Sequence, residues 1–103
     1  MIKTSSTHQY FVKIARDYFS LHPEISHDWR EIRDIAGGRT DLVCWPDTPH
    51  EVFASLTEHQ ITIGNNNTDQ DFESFGRNVS DIDLANEAWK YFEELITKGE
   101  NDA

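Results

Sequence analysis

The stretch Asp81–Thr97, DIDLANEAWKYFEELIT, constrains the fold more than any other part of the chain. Ile82, Ala85, Trp89, Phe92 and Ile96 recur at helical spacing, and Leu84, Ala88 and Leu95 widen them into one apolar stripe. Ser80 stands where an N-cap is needed, with Asp83 three residues on, close to a capping-box arrangement. Asp81 and Asp83 fall in the first turn, where the helix dipole favours negative charge. Lys98 and Gly99 predict the stop, leaving 99–103 as a frayed tail. Such a helix is roughly 25 Å long, and its apolar stripe must be covered by the rest of the chain.

The 103 residues suit a single domain, 1–103. Thr4–Leu21 reads as a first amphipathic helix, opened by a Ser6–Gln9 capping box and ended by Pro23. Its apolar face is Tyr10, Phe11, Ile14, Ala15, Tyr18 and Phe19. The middle reads as strands: Asp41–Trp45, stopped by Pro46, then Glu51–Thr57 and Gln60–Gly64 as an antiparallel hairpin. Residues 24–36 are harder. Ile25, Trp29, Ile32 and Ala36 fit a short helix with Gly37 past its end. A hairpin turning at Gly37-Gly38 is the alternative, disfavoured because Glu31 and Arg33 would then share a face with Trp29. Asn65–Asn78 is a polar connector whose Phe72 and Phe75 dock on the core or add an edge strand. The expected class is α+β: a small antiparallel sheet of three to four strands packed by N-terminal and C-terminal amphipathic helices.

Charge narrows the function. Nineteen acidic and nine basic residues give a net charge of −10. Residues 1–50 carry seven acids and six bases, whereas residues 51–103 carry twelve and three. Such a field repels nucleic acid and anionic membranes and attracts basic proteins. The longest apolar run, Leu42-Val43-Cys44-Trp45, is far too short to span a bilayer. No apolar segment of signal-peptide type follows the N-terminus, so a cytoplasmic location is expected. Cys44, the single cysteine, reads as a small core residue.

Catalytic and cofactor motifs do not emerge. The five histidines are scattered and lack metal-ligand spacing. A calcium-loop frame from Asp69 has Ser74 where glycine is required and Ser80 where glutamate is required. Gly37-Gly38-Arg39 is too short for a phosphate loop. Neither an enzyme nor a metal or other cofactor is expected. The one constellation with a functional pattern is acidic: Asp69, Asp71 and Glu73 in the connector, then Asp81, Asp83 and Glu87 at the helix start. Asp83 and Glu87 repel each other at i, i+4, a small cost that partner binding would offset. Helix-dipole complementarity and solubility account equally well for these acids. Phe72, Phe75 and Trp45 are candidate apolar anchors beside them.

Several segments together resemble the small bacterial immunity proteins of contact-dependent growth inhibition and related polymorphic toxin systems. They are Gly37-Gly38-Arg39-Thr40-Asp41-Leu42, the strand pair Glu51–Leu56 and Ile61–Gly64, Asp71-Phe72-Glu73-Ser74-Phe75-Gly76-Arg77, and Leu84-Ala85-Asn86-Glu87-Ala88. The likeness lies in the organisation of residues 37–96. It implies a non-enzymatic inhibitor that binds the C-terminal toxin domain of a large exported effector, often a nuclease, and blocks its active site. Each such pair has its own interface, so the resemblance assigns no residue. The charge agrees with it, since a nuclease presents a basic cleft to phosphates. The alternative is an acidic interaction module or regulatory subunit unrelated to toxins.

Overall fold

Five antiparallel strands follow one another across a single sheet, and both long helices lie on the same side of it. The computed structural model describes residues 6–23, 29–34, 38–57, 60–73 and 79–102. Its elements are α1 (Ser6–Leu21), β1 (Trp29–Asp34), β2 (Arg39–Cys44), β3 (Val52–Leu56), β4 (Gln60–Asn65), β5 (Asp69–Glu73) and α2 (Asp81–Asp102). The strand order is β1-β2-β3-β4-β5, every neighbour antiparallel. The α+β expectation holds, with five strands rather than three to four.

Strict alternation builds the centre. Thr40, Leu42 and Cys44 of β2, Val52, Ala54 and Leu56 of β3, and Ile61 and Ile63 of β4 all turn to the helix side and are buried. Cys44, the single cysteine, is buried among them. The stripe of α2 closes over this face with Leu84, Ala85, Ala88, Trp89, Phe92, Leu95 and Ile96. From α1 come Phe11, Val12, Ala15 and Phe19, and Phe11 meets Trp89 and Phe92 at centroid distances of 5.6 and 5.8 Å. Ile82 does not join the stripe. It is 49 % exposed in the first turn of α2, and Tyr10 is similarly exposed on α1.

Ser80 caps α2 as its position predicts: its Oγ accepts from the Asp83 amide at 3.1 Å and its carbonyl from the Leu84 amide at 2.9 Å. The end differs from expectation. The helix runs through Gly99 to Asp102 instead of stopping near Thr97 and fraying. Gly99 is a packing residue, because a Cβ there would come 2.7 Å from Cζ3 of Trp45. Trp45 itself has a left-handed backbone, φ 52°, and so does Asp47, φ 63°. The turn tolerates this because its groups are tied down. Thr48 Oγ1 donates to the Trp45 carbonyl at 2.7 Å, and the Asp47 amide donates to Glu51 Oε1 at 3.2 Å.

Both edge strands depart from the sequence reading. Residues 29–34 are β1, not part of a helix; residues 24–28 and 35–37 lie outside the described residues. Glu31 and Arg33 do share the helix side with Trp29, paired opposite Leu42, Thr40 and Cys44. The two charges are tolerated there because Glu31 accepts from both Arg33 and Arg16 of α1. Trp29 stacks on Phe19 at 4.4 Å. Part of the expected connector is also strand: residues 69–73 form β5, joined to β4 through a turn in which the Asn65 amide donates to the Thr68 carbonyl. Asn65 Oδ1 accepts from the Asn67 and Thr68 amides, which fixes that turn.

Candidate functional site

Alternation along β5 divides its five residues between the two faces of the sheet. Phe72 points inward, is buried, and approaches Tyr91 of α2 at 5.8 Å. It is a core residue, although the sequence offered it as an anchor for a partner. Asp69, Asp71 and Glu73 point the other way and are exposed. Phe75 lies outside the described residues.

The acids expected to act as one group therefore fall on two surfaces. Asp81, Asp83 and Glu87 belong to α2, on the helix side, and all three are exposed. Asp81 also serves the fold itself, because Thr7 Oγ1 donates to its Oδ1 at 2.9 Å and so joins the starts of the two helices. Asp69, Asp71 and Glu73 lie on the opposite side of the sheet, over which no described element passes.

That open face has a definite layout. Across the strands, one row runs Arg30, Val43, Phe53, Gly64, Asp69, and the next runs Ile32, Asp41, Ser55, Thr62, Asp71. Ile32 is 53 % exposed, while Val43 and Phe53 are half-buried. The apolar residues occupy β1–β3 and the acids line β5. Hydroxyls hold two carboxylates in place: Ser55 Oγ donates to Asp41 Oδ1 at 2.7 Å and Thr62 Oγ1 to Asp71 Oδ1 at 2.8 Å. Arg39 Nε donates to Asp41 at 3.0 Å. The sequence reading overlooked Asp41, Phe53 and Ile32 as surface residues, although the alternation of Glu51–Thr57 already separated Phe53 from the core side. Trp45 is half-buried and packed against Gly99, so it too is engaged inside the molecule.

A second feature was not anticipated. Between α1 and the β1–β2 edge lies a cleft of about 360 Å3, lined in part by His8, Lys13, Arg16, Glu31, Arg33 and Thr40. Glu31 lines it, with Arg16 Nη2 donating to both carboxylate oxygens at 3.0 and 3.1 Å, and Nε and Nη2 of Arg33 donating to Oε1 at 3.1 and 3.0 Å. Burial pushes the Glu31 carboxyl up, but the bonds and charges of the two arginines together outweigh it and hold the group below the usual glutamate value. His8 moves down from its ordinary value, chiefly through burial and then through the nearby Arg33 charge, with Glu31 opposing.

Among the described residues, no three histidine, cysteine or carboxylate side chains come together as a metal site would require. No described helix is long and apolar enough to cross a membrane. No protein-family model, curated protein or solved structure matches this chain.

Proposed function

We propose that this protein is a cytoplasmic immunity protein that binds a basic toxin domain, of nuclease type, and occludes its active site with the open face of the sheet. The observation that carries the reading is the alignment of Asp69, Asp71 and Glu73 on the uncovered side of β5, in a chain of net charge −10. Alternate residues of a strand recur about every 6.8 Å, so the three carboxylates form a regular row of negative charge. A row of strand carboxylates can thus stand in for backbone phosphates in a basic cleft. Phe53, Val43 and Ile32 supply apolar contact beside the acids, the combination that gives an interface both steering and adhesion. The likeness to immunity proteins of contact-dependent toxin systems gives the reading its partner class.

The test is binding to the C-terminal toxin domain encoded by the reading frame immediately upstream. The wild-type chain should bind it and suppress its nuclease activity. Changing Asp69, Asp71 and Glu73 together to Asn, Asn and Gln should slow association by roughly tenfold or more at low salt and flatten its salt dependence. Changing Asp83 and Glu87 to Asn and Gln should do much less. If the β5 variant binds at the wild-type rate with the wild-type salt slope, the open face is not the site.

A further inference from the structure

We propose that the cleft between α1 and the β1–β2 edge binds a small oxyanion bearing a phosphate or carboxylate group, held by Arg16 and Arg33 with Lys13 beside them. Three independent features lead there. First, the local charge is opposite to that of the molecule. The ionised side chains lining the cleft are Lys13, Arg16 and Arg33 against Asp17 and Glu31, a net of +1 within a chain of −10. Burial and then the Arg33 charge favour the neutral form of His8.

Second, the arginines are positioned but not saturated. Glu31 takes only Nη2 of Arg16, and only Nε and Nη2 of Arg33. Nε and Nη1 of Arg16 and Nη1 of Arg33 have no bond to it. Glu31 thus holds two guanidinium planes in place while leaving donors for another acceptor, and planar guanidinium forks suit phosphate and carboxylate oxygens. The side chains of Arg16 and Arg33 are 51 % and 60 % exposed, whereas that of Glu31 is 17 % exposed. The internal anion is the deeper group and the donors face outward.

Third, the volume is of small-ligand size. About 360 Å3 lies at the lower end of the range that small molecules occupy. Inward-pointing charges on an edge strand also discourage sheet-to-sheet pairing. That purpose needs neither a cavity nor a lysine from α1.

The experiment is a titration of the full 15N-labelled chain with inorganic phosphate and, separately, malonate, at pH 7 and constant ionic strength, followed by amide chemical shifts. Saturable shifts at Gln9, Lys13 and Thr40 are expected. Stronger binding of phosphate or of malonate assigns the phosphoryl or the carboxylate source. Arg16→Gln with Arg33→Gln should weaken binding by roughly a hundredfold, each lost charged donor set being worth about tenfold. Glu31→Gln should tighten it, since it removes the internal competitor and raises the local charge to +2; a purely structural cluster would give no gain. Should the double arginine variant fail to fold, Glu31→Gln and the exposed Lys13→Gln decide, the first tightening and the second weakening. Shifts that grow without saturating in both the wild type and Glu31→Gln, or affinities that neither of these variants moves, overturn the proposal.

Discussion

The two helices share one side of the sheet but are held there differently. α2 lies directly on β3, β4 and β5 and closes over them with seven buried apolar residues. α1 rests mainly on α2. It reaches the sheet edge through a ring stack, Phe19 on Trp29, and an ion pair, Arg16 with Glu31. One flank of the core is sealed by apolar contact, and the other encloses a charged cleft. The difference follows from the strands beneath. β3 offers Val52, Ala54 and Leu56 inward and β4 offers Ile61 and Ile63, with Asn65 only at its end, whereas β1 offers Trp29, Glu31 and Arg33. A charged pair cannot be pressed under a helix without its partners, so α1 meets β1 through those partners.

This contrast can be broken most forcefully on the sealed side. Phe92 is fully buried, and Phe92→Ala should cost about 3–5 kcal/mol in urea unfolding. A cost below about 1 kcal/mol would mean that the α2 flank is not close-packed. Gly99→Ala comes next. Alanine in a helix interior normally gains about 1 kcal/mol over glycine. Here its Cβ meets the Trp45 ring, so a loss of roughly 1 kcal/mol is expected, with a shift in tryptophan emission as that ring is displaced.

The α1 flank should respond more weakly. Thr7→Val removes the hydroxyl that donates to Asp81 and should cost about 1 kcal/mol; no further loss when Thr7→Val is added to Asp81→Ala would show that the two groups act as a pair. The smallest effects are those of pH. Both Glu31 and His8 have folded-state values below their ordinary ones, so each binds protons more readily in the unfolded chain and each adds stability as pH rises. The His8 contribution is complete above its ordinary 6.5 and fades below it. The Glu31 contribution is complete above its ordinary 4.5 and is lost in more acidic solution. His8→Gln should flatten the upper limb of a stability–pH curve and Glu31→Gln the lower one. Because Arg16 and Arg33 are exposed, the Glu31 limb should amount to no more than about 1 kcal/mol.

The same contrast explains what was legible in the sequence. The sealed flank announces itself: a stripe of 3.6-residue period in α2, alternation in β2, β3 and β4, and a serine at the cap. The margins do not. β5 (DQDFE) places one apolar residue in the core, and one residue has no period. β1 (WREIRD) carries charges on both faces, and its inward pair makes sense only once Arg16, fifteen residues away from Glu31, is known to reach it. Gly99 misled because its neighbour, Trp45, is remote in sequence. The acids stand out in the sequence as one cluster, but geometry splits them. Strand alternation sends Asp69, Asp71 and Glu73 to one side while α2 keeps Asp81, Asp83 and Glu87 on the other. The cleft had no sequence signature, because it is defined by the separation between two elements.

Gly64 bears on how such a surface could change over time. It lies opposite Asp69 in the β4–β5 pair, and a Cβ there would stand 2.5 Å from the Thr68 carbonyl oxygen and 2.7 Å from Cβ of Asp69. A slip of one residue would bring Ile63 or Asn65 into that space and turn Phe72 outward. The glycine therefore works with the Asn65 turn and the buried Phe72 to set the register that keeps residues 69, 71 and 73 on the open face. Replacements at the three positions can rewrite the charge of the open face while its geometry stays put, so that charge can vary without the core having to be rebuilt.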